Sequence, residues 1–464
     1  MAKAYLLTKN HAVELMIFAI FELHLIVGLL RHKMWRDEVQ VWLISVSSTN
    51  LNELLLNMKF EGKPPLYFFL VWIASGLIKS PESLKIITFI FSSVSIYVVV
   101  FKLKIIIFHK ISILTSFLFF YGYTIISRDY SLTLCLNLIL ICVIQKKSQL
   151  YRLISLTLIL TLCSVNAYSL ILSFFWLSYY ILNNSKNINR YIFFVYFPVV
   201  ILNIFFIYPE KNNVHQLDTE LTLVKDFLQV PNLLTRIFIP EAYISIGVKI
   251  LVIIFIFSIL VYLAYFSIKL FIPFTVSAIA FILFYNNSPS NYWWHYGSFI
   301  LLIYSVLILI LQSKKEFKTY ASLSLALVNF SQLLFLLNGS SAFISQTQPY
   351  SNGQIVADFV ADKCGQDCKV YGVPEGSMTT PSAFLLGHGI TLEGSRGPIR
   401  FVVWNQSQKN SSFRDFVSDN RVKCGSIIIT NGVQQPVKGI IQLRGFTGAV
   451  WQDENYFAFK KIEC

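Results

Sequence analysis

Charge is scarce in this chain. Only 13% of its 464 residues are Asp, Glu, Lys or Arg, and 55% are hydrophobic, whereas a soluble domain carries about 25% charge. That shortage excludes an ordinary water-soluble fold. With a mean hydropathy of +0.61, the chain reads as an integral membrane protein. A Gly-rich phosphate-binding loop is missing, so no nucleotide cradle is offered. No internal repeat is visible, which counts against the repeated halves common in transporters. No small-residue cleavage site follows the apolar run from Val13 to Leu30, and that run reads as a signal anchor. Cysteine is sparse, with seven in all. Cys135, Cys142 and Cys163 lie in apolar runs and read as packed thiols. Cys364, Cys368, Cys424 and Cys464 lie in a polar C-terminal segment, where an even number permits disulfides in an oxidising compartment. Their spacing does not match the usual zinc-finger patterns.

What the chain has instead is apolar and aromatic length. Phe and Tyr number 41 and 24, as suits lipid-facing and interfacial rings. The net charge of +14 sits largely in short loops such as Lys146-Lys147 and Lys314-Lys315. The excess of basic residues in cytoplasmic loops explains it better than nucleic-acid binding does. A spanning helix needs about 20 apolar residues, and shorter ones are tolerated. Eleven runs qualify: 12–30, 84–101, 111–127, 131–145, 151–165, 167–182, 191–208, 243–267, 270–286, 297–312 and 319–337. The run 65–78 is also apolar but short. If it does not cross, the basic segments 102–110, 146–152, 183–190 and 314–318 all fall on the cytoplasmic side. The loops 31–64, 128–130, 209–242 and 287–296 then face outward with the C-terminal segment. Residues 65–78 are therefore expected to form a juxtamembrane or re-entrant helix on the outer face.

Two outer segments exceed the length of plain connections. The first, 31–83 with its juxtamembrane helix, holds amphipathic stretches such as Leu51, Leu54, Leu55 and Met58. The second, 209–242, carries Glu210, His215, Asp218, Glu220, Lys225, Asp226, Arg236 and Glu241 and could cover a site as a lid. After about residue 340 the composition changes. Strand-like runs at 369–373, 400–404 and 426–430 alternate with helical patterns near 353–362, 379–387 and 412–420. Residues 1–340 are expected to form a transmembrane unit and 341–464 a small extracytoplasmic α/β domain. The tripeptides that begin at Asn338, Asn405 and Asn410 fit a glycosylation sequon, which matters only in a eukaryotic lumen.

The chemistry concentrates at the membrane rim. Asp37 and Glu38 are adjacent carboxylates just past the first apolar run, and charge there is costly without a purpose. A carboxylate within reach of an acceptor hydroxyl can take its proton during attack, and a carboxylate neighbour raises its basicity. The pair could also ligate a metal. Lys63, Lys85, Arg128, Tyr130 and His295 fall on the same predicted face. Each is ordinary interfacial anchoring material. Together they would place positive charge and donors beside two carboxylates, which suits an anionic phosphate headgroup whose lipid tail stays in the bilayer.

Trp35-Arg36-Asp37-Glu38, followed by Glu61-Gly62-Lys63-Pro64-Pro65-Leu66-Tyr67, resembles the first outer loop of polytopic glycosyltransferases of the GT-C fold. The similarity is greatest to the protein O-mannosyltransferase and lipid A aminoarabinose transferase group. Ser127-Arg128-Asp129-Tyr130 is similar to that group's Arg-x-Tyr, and Trp294-His295-Tyr296-Gly297 to its later Arg-His-x-Gly. Pro349-Tyr350-Ser351 and the α/β tail resemble the outer domain of bacterial members. Lys63 stands where many members have His, Lys85 where many have Arg, and Trp294 where Arg commonly precedes the His. The resemblance implies a polyprenyl-phosphate-sugar donor, a glycan, lipid or protein acceptor, and transfer with inversion. Asp37 would be the general base, and Glu38 would orient the acceptor or the sugar. Lys85, Arg128 and His295 would meet the lipid phosphate, with Lys63, Tyr67 and Tyr130 in the substrate site. Some proteins of this fold use a divalent metal and others do not; Asp37 and Glu38 would be its ligands. The site would be periplasmic in a bacterial inner membrane, or lumenal in the endoplasmic reticulum of a eukaryote. A lipid-linked-saccharide flippase or transporter, a non-catalytic membrane scaffold, and a polymerase or ligase using a diphosphate-linked lipid are the alternative readings.

Overall fold

A computed structural model describes residues 2–184, 191–208, 223–240, 243–287, 293–313, 318–337, 348–364, 368–394, 397–403, 413–418 and 422–463, apart from the side chains of 2–10, 191, 193, 223–228, 293, 394 and 397. The chain is mostly helical. In order the first helices are α1 (Ala2–Arg31), α2 (Arg36–Val46), α3 (Leu51–Asn57), α4 (Leu66–Leu77) and α5 (Ser83–Tyr97), the last extended by a π-helical turn, Val98–Lys102. Next come α6 (Ile107–Leu114), α7 (Tyr130–Val143), α8 (Gln149–Cys163), α9 (Ala167–Asn183), α10 (Tyr191–Ile207) and α11 (Leu223–Phe238). Four long helices close this part: α12 (Ile246–Phe266), α13 (Ile268–Asn287), α14 (Trp293–Gln312) and α15 (Lys318–Leu337).

Among the described residues, six helices are long and apolar enough to cross a membrane: His11–Arg31, Ser83–Lys102, Ile246–Phe266, Ile268–Asn287, Trp294–Gln312 and Lys318–Leu337. These coincide with six of the eleven expected runs. Four others form shorter apolar helices, α7 to α10. The run 111–127 does not form one helix. It breaks between α6 and a π-helical turn at Leu118–Gly122. The break falls at Thr115 and Ser116, whose hydroxyls donate back to the carbonyls of Ile111 and Ile113 at 3.0 and 2.6 Å. Such back-bonding competes with the helix's own ladder. Helix α4 has 12 residues, about 18 Å at 1.5 Å per residue, too short for a hydrocarbon core of about 30 Å. It lies on α2, where the Ser45 hydroxyl donates to the Phe68 carbonyl at 3.3 Å and the Trp72 indole to the Ser48 carbonyl at 2.9 Å. In the expected lid, 223–238 are the amphipathic helix α11, whose buried Leu233, Leu234, Ile237 and Phe238 face the bundle. Glu210, His215, Asp218, Glu220 and Glu241 lie outside the described residues, as do the side chains of Lys225 and Asp226.

Helix α14 is apolar on every side, and all its residues from Trp294 to Ile310 are buried. A helix with no polar face belongs at the centre of a bundle. It sits tight against Tyr123, whose hydroxyl donates to the Trp294 carbonyl at 2.8 Å. Gly297 permits that approach, because a Cβ there would lie 2.6 Å from the Tyr123 oxygen. Gly297→Val is expected to destabilise the protein by about 1–3 kcal/mol, read as a lower midpoint of thermal unfolding in detergent.

The C-terminal unit is a six-stranded mixed sheet, in the order β3-β2-β1-β4-β6-β5. Its strands are β1 (Val370–Val373), β2 (Leu392–Gly394), β3 (Gly397–Ile399), β4 (Ile427–Thr430), β5 (Ile440–Phe446) and β6 (Tyr456–Lys461). Helices α16 (Gly353–Lys363), α17 (Thr379–Gly387) and α18 (Phe413–Val417) accompany it. The strand expected at 400–404 is not formed in the described residues. Val402 bonds instead to a side chain: its N–H donates to Gln40 Oε1 at 3.2 Å and its carbonyl accepts from Gln40 Nε2 at 2.6 Å. Cys364 and Cys368 form a disulfide and Cys424 is also disulfide-bonded; Cys464 lies outside the described residues, as do Asn338, Asn405 and Asn410. Cys135, Cys142 and Cys163 are free thiols in the bundle.

Candidate active site

Helix α2 carries the two carboxylates, and its own geometry separates them. Successive helical residues are rotated by about 100°, so Asp37 and Glu38 cannot face one object. Glu38 turns inward and is fully buried. His32 Nε2 lies 3.0 and 2.9 Å from its two oxygens. The Trp35 N–H donates to Oε2 at 3.1 Å, capping α2, and the Ser127 N–H donates to Oε1 at 2.5 Å. This carboxylate ties three separate segments together and has little left to offer a ligand.

Asp37 turns the other way and remains 29% exposed. Its Oδ2 accepts from Arg128 Nη1 at 3.1 Å, and Oδ1 lies 3.5 Å from Arg36 Nε. Burial pushes its carboxyl up, but the charges of Arg128, Arg36 and Lys63 outweigh that and hold it below the ordinary carboxylate value. The expected lift from Glu38 is thus overturned: cations, not a second carboxylate, dominate the field at Asp37.

Lys63 follows Gly62, whose φ of +63° makes the left-handed turn that glycine tolerates best. Burial and then the Arg128 charge lower the Lys63 pKa, against the opposing pull of Asp129, Glu61 and Asp37. Among the described residues Lys63 makes no hydrogen bond and no ion pair, although those charged groups surround it. Burial raises Glu61 above the ordinary value while Gln40 Nε2 donates to it at 2.8 Å. Arg128 is itself buried, stacks its guanidinium 5.2 Å from the Tyr130 ring centre, and leaves its Nε without a partner. Tyr130 stacks on Tyr123 with ring centres 4.8 Å apart.

The remaining expected residues lie apart from this cluster or behind it. Tyr67 is buried and its hydroxyl lies 3.4 Å from the Ser127 carbonyl, so it braces the loop that carries Arg128. Lys85 pairs with Glu82 at 2.8 Å in its own helical turn, not with Asp37. His295 stacks on Tyr168 with ring centres 5.1 Å apart. Its neighbour Trp294 meets Trp35 edge to face at 5.6 Å. A divalent metal shared by Asp37 and Glu38 does not fit these donors. The two point apart, Glu38 is saturated, and among the described residues no three His, Cys, Asp or Glu converge.

Four residues of the site escaped the sequence reading. His32 holds Glu38. Gln40 links Glu61 to Val402. Glu454 is buried and accepts from the Arg36 N–H at 3.2 Å, the Ser351 hydroxyl at 2.6 Å and the Tyr456 hydroxyl at 2.7 Å. Asp129 joins the field around Lys63. Tyr350 and Trp451 pack on Trp35 at 5.6 and 5.1 Å. The C-terminal unit therefore forms one wall of the candidate site.

No family model and no curated protein matches the sequence. Two crystal structures match the fold: ArnT from Cupriavidus metallidurans bound to undecaprenyl phosphate, and the same protein in the apo state. Each has a TM-score of 0.53 at 12% identity, covering 99% of this chain and 98% of the other. The GT-C resemblance read from the short motifs is thus met in the fold along nearly the whole chain: this is an integral membrane protein with the architecture of ArnT.

Proposed function

We propose that the protein is a membrane glycosyltransferase that moves a sugar from a polyprenyl-phosphate-linked donor to an acceptor hydroxyl at the outer face. The observation that carries this reading is the Lys63 ammonium, without a hydrogen bond or ion pair among the described residues, beside the Asp37–Arg128 pair at the membrane rim. It sets two cations, Lys63 and Arg128, beside a partly exposed carboxylate, on a fold shared with a protein crystallised with undecaprenyl phosphate. Asp37 takes the proton of the acceptor hydroxyl as its oxygen attacks the anomeric carbon, with inversion. The bond from that carbon to the phosphate oxygen breaks, and the charge returning to the polyprenyl phosphate is met by Lys63 and Arg128. The donor phosphate also tunes the base. By drawing Arg128 and Lys63 toward itself, it relieves Asp37 of the charges that depress its pKa and makes it more basic once donor is bound. No step uses a metal. The acceptor-facing side would be periplasmic in a bacterium, where oxidised Cys364 and Cys368 are at home.

The test is transfer of radiolabelled sugar from polyprenyl-phosphate sugars in membranes holding the wild type, Lys63→Ala or Lys63→Arg. Lys63→Ala is expected to lower transfer by about 10²-fold or more. Because the Lys63 pKa lies below the ordinary 10.5, its charge is lost earlier than an exposed lysine's as pH rises. Wild-type transfer should fall on that alkaline limb, and Lys63→Arg should move the limb upward. Transfer by Lys63→Ala equal to wild type, with the same alkaline limb, would overturn the phosphate role of Lys63.

A further inference from the structure

The helical bundle has a basic cavity at the end remote from Asp37. Lys110 pairs with Glu14 at 2.6 Å near the start of α1, whereas Asp37 follows the end of that helix. Glu14 and Arg31 are separated by about 26 Å at 1.5 Å per helical residue. Next to Lys110 lies a cavity of about 500 Å³ lined by Lys104, Ile105, Ile106, His109, Leu311, Lys318, Thr319 and Ser322.

Its lining combines charge with an orphaned imidazole nitrogen. Lys104 and Lys318 make no ion pair or hydrogen bond among the described residues, and no described lining residue is acidic. His109 is 2% exposed. Its Nε2 lies 2.6 Å from the Ser322 hydroxyl, while its Nδ1 is buried with no partner. The first turn of α6 opens here without a side-chain cap. Helix N-termini present free N–H groups and favour anions. Ile105, Ile106 and Leu311 give the same cavity an apolar rim, and Ile106 is 62% exposed.

We propose that this cavity binds the headgroup of an anionic phospholipid. The phosphate would sit between Lys104 and Lys318 beside the His109 imidazole, with the start of the acyl chains on the isoleucines. Phosphate contacts alone would suit a free phosphate equally well. The apolar rim and the position at the bundle's end, on the face where basic loops gather, favour the lipid. The site is separate from the donor site and does not depend on what that site transfers.

The experiment uses the full-length protein in nanodiscs and reads retention of labelled phosphatidylglycerol against phosphatidylcholine. Wild type should favour phosphatidylglycerol, and K104A/K318A should lower that preference roughly tenfold or more. Both lysines are exposed, so the fold should persist. K146A/K147A, which removes equal charge from the same end, should leave the preference within about twofold. Equal losses in the two double variants would show diffuse attraction and overturn the proposal. So would the absence of a preference, or displacement of the lipid by inorganic phosphate under conditions where chloride at equal ionic strength does not displace it.

Discussion

Asp37→Asn is expected to lower sugar transfer by about 10²–10⁴-fold, the usual worth of a positioned general base, while the protein stays folded and donor binding persists. Asn keeps the shape of the side chain and an oxygen for Arg128, but it cannot accept the acceptor's proton. Arg128 loses a counter-charge yet retains the Tyr130 ring and nearby Asp129. The measurement pairs transfer with donor retention on the same preparation. Loss of both together would point to a collapsed site, and wild-type transfer by Asp37→Asn would remove Asp37 as the base. The pH dependence has a definite sign. The Asp37 carboxyl in the folded protein is depressed below its ordinary 3.8. The stability it contributes is therefore fully present above that value and is lost as pH falls through the folded pKa.

Glu38→Gln should act on a different property. The substituted side chain replaces one acceptor oxygen by an NH₂ group. That group must meet the N–H of Trp35 or Ser127, or displace His32, all in a site without water access. Breaking a buried, fully used carboxylate in this way is expected to cost about 3–5 kcal/mol, seen as a sharply lower thermal midpoint and reduced folded yield. Transfer per folded molecule should change far less than in Asp37→Asn. A variant of native stability that has lost transfer would return Glu38 to the chemistry and refute its assignment as a brace.

The contrast between these neighbours marks what a sequence can carry. The pair was visible as two charges at a membrane rim, and Arg128 and Lys63 as cations on the same expected face. Those inferences need only hydropathy and charge bias. The division of labour was not visible, because it depends on which side of α2 meets His32 and Ser127. Gln40 and Glu454 went unnoticed because each works through a partner distant in sequence or through a backbone group, and His32 because its bond to Glu38, six residues on, depends on how the chain turns between α1 and α2. Glu454 lies in a segment with no motif of its own. The apolar run 111–127 looked continuous because hydropathy does not register two hydroxyls bonding backward to the helix. The strand expected at 400–404 had the right composition and lost its place to a glutamine amide.

The bond from the Arg36 N–H to Glu454 spans 418 residues. At a synthesis rate of about 5–20 residues per second, roughly 20–80 s separate the making of the two. Throughout that interval the helix bearing Asp37 can be inserted beside the lipid while Arg36, Gln40 and Trp35 still lack their far partners. A nascent chain thus carries the charged groups of its site long before it can hold them in order. Competence for transfer should arrive late and abruptly, with the last strands, so that a chain stalled before them is inert toward the donor.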